Sequence, residues 1–170
     1  MASEVFIVGT NAATALAEDW WKFWDVEYGF RKAAWFESYV ANRAKEGKTK
    51  VTPTRRVIEW VSEAAGFACL ETNVHPKATA RAHLLQAADR TRAVLDFLLD
   101  TITPHVIVAH GAPARQYWSE RLDLKLNEDE VLHVPMHPHP AILIGTAHFS
   151  RLRSQDAARA LAEVIRAARS

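Results

Sequence analysis

Polar side chains that can bind or polarise a small ligand follow short apolar segments of the sequence. Asn11 comes directly after the segment EVFIVGT, and Asn73 ends the segment FACLETN. His137 and His139 follow the segment VLHVPM. A side-chain amide offers both a hydrogen-bond donor and an acceptor, whereas a histidine can donate to an oxygen that gains negative charge. These four residues are the first candidates for a ligand site.

Each of the four residues also has a structural interpretation. Asn11 is suited to cap a following helix, and Asn73 is suited to the turn before Pro76. His137 and His139 belong to the sequence HPHP, which favours an extended loop. A His-x-His pair is a common pair of metal ligands, but no carboxylate or cysteine nearby completes a metal shell. We therefore expect no metal ion at this loop.

The apolar segments predict the strands that would position these side chains. The predicted strands cover residues 5–10, 67–73, 105–110 and 131–136. Helical patterns cover residues 14–24, 31–44, 54–65 and 83–101, and two further helices begin near residues 113 and 154. Strands that alternate with helices favour a parallel sheet with helices on both faces. We therefore expect a single domain, residues 1–170, built as a three-layer α/β/α sandwich around a four-stranded parallel sheet.

Ligands of such open sheets bind at the carboxyl ends of the strands. In the predicted fold these ends are followed by residues 10–13, 72–76, 110–112 and 137–140. Polar side chains from separate parts of the chain would therefore meet at one edge of the sheet. A function built on Asn11, Asn73 and His137 requires that all three line one cavity there.

Composition restricts the classes of function. The chain has 170 residues, of which 49% are hydrophobic and 24% charged, as in an ordinary soluble domain. Its one cysteine, Cys69, excludes a disulfide framework and is expected to be an inert core thiol. No apolar run is long enough to cross a bilayer and no secretory signal is visible, so we expect an intracellular protein. The absence of GxGxxG, P-loop, GxSxG and HExxH motifs argues against dinucleotide redox chemistry, nucleotide hydrolysis and serine hydrolysis.

Charge is distributed unevenly along the chain. The segment from Arg31 to Arg56 contains eight basic and two acidic residues, a net charge of +6 in a chain whose net charge is +1. A local basic patch on a nearly neutral protein suits transient contact with a polyanion. A solvated helix face followed by a lysine-rich loop would give the same pattern. Five of the six tryptophans lie within the first 60 residues, and most of them are expected in the core.

Five segments, taken in order, carry a family resemblance. They are VFIVGTN, KFWDVEYGF, CLETNVHPKAT, VIVAHGAPA and HPHPAILIGTAHFSRL. They are distributed over most of the chain, between residues 5 and 152, and resemble the motifs of the uracil-DNA glycosylase superfamily. VFIVGTN is similar to that superfamily's strand ending in Gly-x-Asn, and HPHP is similar to its His-Pro-Ser-Pro signature. The resemblance implies a four-stranded parallel sheet between helices.

The resemblance also implies an activity, namely hydrolysis of the N-glycosidic bond of uracil or a related damaged base that is extruded from DNA. Asn11 would orient the attacking water, and His137 would stabilise negative charge on the departing base. Asn73 would distinguish uracil from cytosine, while Gly9 and Thr10 would line the base pocket. Such an enzyme needs neither a cofactor nor a metal ion. It would act as a monomer on uracil-containing or single-stranded DNA.

The chain departs from the family pattern at several positions. Ala12 and Ala13 replace the family's Pro-Gly, and His139 replaces the serine of His-Pro-Ser-Pro. The usual base-stacking phenylalanine has no clear counterpart. Trp20 or Trp21 is therefore expected to stack on the base.

Contacts to the DNA backbone are expected from a further set of residues. Phosphates would be contacted by Lys48, Lys50, His139 and Ser150. Ile142 or Leu143 would supply the apolar wedge that fills the space left by an extruded base.

Two other functions remain open from the residues alone. The replacements at Ala12, Ala13 and His139 are also expected in a protein that binds nucleic acid or a nucleotide on the same fold without cutting a bond. The modest net charge also allows an α/β protein that acts on a free nucleoside or another small metabolite.

Overall fold

A mixed β-sheet forms the centre of the molecule. The structure is a computed structural model that describes residues 4–169 except 13, 15, 17, 28, 68 and 153, and it describes no side chain at residues 20 and 29. The strands are β1 (Val5–Gly9), β2 (Trp24–Asp25), β3 (Gly29–Phe30), β4 (Leu70–Asn73), β5 (Val106–His110), β6 (Val131–Val134) and β7 (Ala141–Thr146). The α-helices are α1 (Lys32–Lys45), α2 (Pro53–Ala65), α3 (Ala93–Ile102), α4 (Ala112–Leu122) and α5 (Gln155–Arg169).

The main sheet has the strand order β4-β1-β5-β7-β6, and β2 and β3 form a separate short hairpin. β4, β1, β5 and β7 run parallel to one another, whereas β6 pairs antiparallel with β7. β1 and β5 are buried along their whole length. Their nearly continuous runs of apolar residues are typical of central strands that are covered on both faces.

Helices cover both faces of this sheet. Alternate strand residues point to opposite faces, so Phe6 joins one core and its neighbour Ile7 joins the other. The core that contains Phe6 includes α3 and α4, through residues such as Leu99 and Trp118. The core that contains Ile7 includes α2 and α5, through residues such as Val61. The predicted α/β class is confirmed, and the arrangement is compatible with three α/β/α layers.

The ends of α2 and α5 lie close to the predicted ones, although the cap of α2 is Thr52 and not Thr54, the first residue of the predicted helix. The Thr52 hydroxyl accepts a hydrogen bond from the Arg55 N–H at 3.0 Å and so caps α2. Gly66 ends α2 with a φ of 74°, a conformation that glycine adopts without steric cost. The Ser154 hydroxyl likewise accepts from the Ala157 N–H, at 3.1 Å, before α5.

The prediction of a four-stranded, all-parallel sheet is wrong in two respects. The main sheet of the described chain has five strands, and β7 lies where the sequence suggested only a loop. The segment predicted as the last parallel strand is β6, which runs the other way. Only six residues, 135–140, link β6 to β7, whereas a parallel crossover needs about a dozen or more. The short link therefore permits only an antiparallel pair.

Two predicted helices are also wrong in extent. Residues 14–24 form no α-helix in their described part; a 3₁₀ turn at Trp20–Phe23 leads directly into β2. The Asp19 carboxylate accepts the Trp21 N–H at 2.9 Å, which starts this turn instead of a longer helix. Residues 83–101 hold two 3₁₀ turns before α3, because Asp89 folds back to accept the Gln86 N–H at 3.3 Å.

The two ends of the described chain meet at one side of the molecule. Arg169, near the end of α5, forms an ion pair with Glu4, which directly precedes β1. Arg166 donates a hydrogen bond to the Ala64 carbonyl at the end of α2. Within the residues that the structure describes, no helix combines the length and the apolar character needed to cross a membrane.

Candidate functional site

The carboxyl ends of the four parallel strands lie side by side. β1 ends at Gly9 and is paired there with Asn73, the last residue of β4. β5 ends at His110, which pairs with Thr146 at the end of β7. Open α/β sheets bind ligands in the crevice at this edge. We refer to it below as the carboxyl edge, and to the opposite side as the amino edge.

Gly9 marks the point where two polar side chains come together. A Cβ atom at this position would lie 2.7 Å from His110 Nε2 and 2.8 Å from Asn73 Oδ1. Both side chains therefore lie directly over the Gly9 backbone, and only the absence of a Cβ leaves them room. The structure thus brings together Gly9 and Asn73, two of the residues predicted to bind a base, and adds His110, which the sequence did not single out.

His110 is held as a neutral side chain at the end of β5. It is 5% exposed, and its ring is stacked on Phe149 with centroids 4.3 Å apart. Among the described residues, no group forms a hydrogen bond with its Nδ1. Burial, and to a smaller extent the neighbouring His148, lowers the pKa of His110 to about 3. The imidazole is therefore uncharged at neutral pH.

His148 lies beside His110 and is fixed in one tautomer. The two rings are edge to face, with centroids 5.3 Å apart. His148 Nδ1 accepts the backbone N–H of Ser150 at 3.3 Å and lies 2.7 Å from the Ser150 hydroxyl. Because Nδ1 is an acceptor, the proton of the neutral ring is on Nε2. Burial, followed by the charge of Arg151, lowers the pKa of His148 and favours this neutral donor.

Asn11 connects two loops at the carboxyl edge. Its Nδ2 donates to the Thr79 hydroxyl at 2.8 Å, to the Thr79 carbonyl at 3.1 Å and to the Ala12 carbonyl at 3.1 Å. The backbone extends this connection, since the Thr79 N–H donates to the Ala12 carbonyl and the His75 N–H to the Thr10 carbonyl. No helix follows Asn11 in the described chain, so the helix-cap interpretation is wrong.

An open cleft of about 380 Å³ lies beside these loops. Its lining includes Ala12, Glu18, Phe23, Trp35, Pro76 and Lys77. Phe23 and Trp35 are the aromatic side chains of this cleft, and neither was predicted to contact a base. Phe23 belongs to the KFWDVEYGF segment, so the signal was present there; nothing in the sequence marked Trp35. Trp21 is 69% exposed and is not among the lining residues, and the side chain of Trp20 is outside the described part of the chain.

The prediction that His137 shares a cavity with Asn11 and Asn73 is wrong. The loop 135–140 begins where β6 ends, and because β6 is antiparallel this loop lies at the amino edge. His139 confirms the position, since its ring is stacked at 3.9 Å on His105, the residue that directly precedes β5. His137 is exposed there. The length of β7 therefore separates His137 and His139 from the carboxyl edge.

The other predicted DNA contacts lie in different surroundings. Ser150 is at the carboxyl edge, where it fixes His148. Lys48 is paired with Glu46 at 2.7 Å, whereas Lys50 lines a groove described below. The predicted wedge is wrong for Leu143, which is fully buried within β7, and Ile142 is packed in the same strand. Both belong to the sheet because β7 takes the place of the expected loop.

No cluster of three or more metal-ligating side chains occurs in the described part of the chain. The carboxyl edge instead carries the Asn73 amide and the neutral imidazoles of His110 and His148. The cleft lies beside them, and its lining includes none of these three side chains. Such groups suit a planar polar ligand that presents donors and acceptors along one edge. The chain matches no protein-family model, and no curated protein is significantly similar to it.

Proposed function

We propose that this protein is a DNA glycosylase with a uracil-DNA glycosylase-like α/β/α domain, which hydrolyses the N-glycosidic bond of uracil or a related damaged base. The observation that carries the proposal is the meeting of Asn73 and His110 over Gly9, with His148 beside them. These groups can form hydrogen bonds with the edge of a planar heterocycle and polarise it. They lie at the sheet edge where open α/β sheets bind ligands. Of the motifs described above, VFIVGTN and CLETNVHPKAT end at this edge and support the same activity, whereas HPHP lies at the amino edge and does not.

In this proposal His148 takes the role that the sequence suggested for His137. As the bond between C1′ and the base breaks, negative charge collects on the pyrimidine oxygens. The Nε2–H of His148 donates to one of these oxygens, and a neutral donor with a fixed tautomer needs no rearrangement as the charge develops. Asn73 pairs with the donor–acceptor edge that distinguishes uracil from cytosine.

Water completes the reaction. The bond from C1′ to the base breaks and the base departs as an anion. The water oxygen bonds to C1′ and releases one proton to the solvent, and the anionic base takes up a proton. Asn11 Oδ1, which accepts no hydrogen bond in the described chain, orients this water, while Nδ2 is occupied by Thr79 and Ala12. An amide is a poor base, so the proposed reaction depends on bond breaking ahead of water attack. No metal ion or cofactor takes part.

A non-catalytic nucleic-acid or nucleotide-binding protein is the second candidate. The hydrogen bonds of Asn11 favour it, because three of them tie the side chain to Thr79 and Ala12 and give it a structural role in the loop. The openness of the cleft is also suited to a ligand that is bound without being sealed from water.

An excision assay separates the two candidates. The protein is incubated in excess with single- and double-stranded oligonucleotides that carry uracil, hypoxanthine or a mismatch, and strand cleavage at abasic sites is measured after alkali treatment. We expect release of at least one base, with uracil in a single strand as the first substrate. If no base is released from any of these substrates while oligonucleotides still bind, the second candidate replaces the first.

A further inference from the structure

A second concave surface lies apart from the carboxyl-edge cleft. It is an open groove of about 300 Å³ between α1, the start of α2 and the segment that joins them. Its walls include Phe36, Lys50, Val51, Arg56, Glu59 and Trp60. None of the residues that line the cleft also lines this groove. The groove therefore needs its own explanation.

The groove carries a net positive charge. Lys50 and Arg56 are exposed, and neither has a carboxylate partner in the described part of the chain. The one acid in its wall, Glu59, is already neutralised, because Lys32 lies 2.8 Å and Arg55 3.3 Å from its carboxylate. Two cations thus remain available to an anionic ligand.

The remaining wall of the groove is aromatic. Phe36 and Trp60 are both half-buried, so each ring keeps an accessible surface while packing holds it in place. Trp60 packs against the core between the sheet, α2 and α5, and Phe36 stacks on Tyr39 at 6.1 Å. Proteins that bind single-stranded nucleic acid combine such fixed aromatic rings for the bases with cations for the phosphates.

The position of the groove relative to the cleft strengthens this comparison. Trp35 lines the cleft, and the next residue of α1, Phe36, lines the groove. The two concave surfaces thus lie on either side of the same helix turn. A single strand that passes through the cleft beside the proposed site can continue across α1 into the groove.

We propose that this groove binds one unstacked nucleotide of a single DNA strand, with its base against Phe36 and Trp60 and its phosphates against Lys50 and Arg56. The inference rests on the proposed function for the identity of the strand, but it concerns binding and not excision. A volume near the lower limit of ligand pockets, about 300 Å³, suits one nucleotide. The open sides of the groove suit a polymer that enters and leaves.

Binding of a uracil-free oligothymidylate, followed by fluorescence anisotropy, tests the groove directly. Arg56→Gln and Lys50→Gln should each weaken binding several-fold and lower the salt dependence by about one counterion. Phe36→Leu keeps an apolar side chain but removes the stacking face, and it should weaken binding by about ten-fold. The matched control is Lys125→Gln, an equal loss of charge at an exposed residue after α4, and it should bind as the wild type does.

Three results would overturn the inference. One is that the groove variants bind as tightly as the Lys125→Gln control; another is that the control weakens binding as much as they do, which indicates diffuse electrostatic attraction. The third is that Phe36→Leu leaves oligothymidylate binding unchanged while a base-free polyanion such as heparin competes fully. Thymidine monophosphate should compete only weakly, since the proposed partner is a strand. If excision is never observed but the groove variants lose binding as expected, the proposed activity fails and the groove assignment stands.

Discussion

Each edge of the sheet carries a pair of histidines, and the two pairs differ in almost every physical respect. At the carboxyl edge, His110 and His148 meet edge to face, burial lowers the pKa of both, and Ser150 fixes the tautomer of His148. At the amino edge, His105 and His139 are stacked nearly parallel, with an interplanar angle of 5°, and His105 is exposed.

The difference shows that surroundings, and not the residue type, decide which histidine can act on a ligand. His148 is half-buried, its pKa is lowered by burial, and Ser150 occupies its Nδ1, so its ring presents a defined neutral donor. His105 at the amino edge is exposed to water. The conspicuous HPHP sequence belongs to a surface loop at the amino edge, while the isolated His148 lies at the carboxyl edge, where the proposed function places the ligand.

The largest expected effect separates the two edges by kinetics. His148→Ala should slow single-turnover excision by about 10²–10³, the usual cost of losing one preorganised donor. His137→Ala should leave the rate unchanged, because its side chain is at the amino edge. Affinity for a product oligonucleotide should be similar in both variants, since the lost interaction forms only as charge develops. A slow His137→Ala enzyme together with a normal His148→Ala enzyme would reverse the assignment.

A smaller effect is expected when a methyl group fills the space over Gly9 at the carboxyl edge. Gly9→Ala places a methyl group against His110 and Asn73, and we expect it to lower the free energy of unfolding by about 1–3 kcal/mol. Urea denaturation measures this change. Truncating the imidazole makes room for the methyl group, so Gly9→Ala should cost less in a His110→Ala background. Strict additivity in this double-mutant cycle would show that the two residues do not meet.

A third expected effect is a pH dependence of stability that arises from His110 at the carboxyl edge. His110 takes up a proton below about pH 6.5 when unfolded but only near pH 3 when folded, so acid favours the unfolded state. Above pH 6.5 the contribution of His110 to the free energy of unfolding is complete. As the pH falls from 6.5 toward 3, the free energy of unfolding decreases by about 1.4 kcal/mol per pH unit.

Replacing the histidines one at a time isolates this contribution. His110→Phe should flatten the slope of unfolding free energy between pH 6 and about 4.5, the range above carboxylate titration. His105→Phe, at the exposed amino-edge pair, should keep the wild-type slope. An unchanged slope in His110→Phe would mean that His110 titrates normally in the folded protein.

Much of the fold could be predicted from local signals because those signals act locally. The apolar runs of β1 and β5, the end of α2 at Gly66 and the serine before α5 all depend on a few adjacent residues. The direction of β6 has no such signal. Its apolar residues would suit a parallel or an antiparallel edge strand equally, and only the short link to β7 decides between them.

The errors in the candidate site follow from that one strand. Asn11 and Asn73 follow strands that were assigned correctly, so both lie at the expected edge. Because β7 was not predicted, the residues after β6 were expected at the carboxyl edge, one strand length from where they lie. His137 was therefore expected at the place where His148 is found. The prolines at 138 and 140 made the segment before β7 resemble an extended loop. The positions of His110 over Gly9 and of Trp35 in the cleft result from contacts between segments that are distant in the sequence, and no local sequence pattern predicts them.

The ion pair between Glu4 and Arg169 has a practical consequence for engineering this molecule. The pair lies at the amino edge, so an attachment group introduced on the surface beside it is on the opposite side of the sheet from the cleft. The protein can therefore be immobilised on a sensor surface with its carboxyl edge facing the solution.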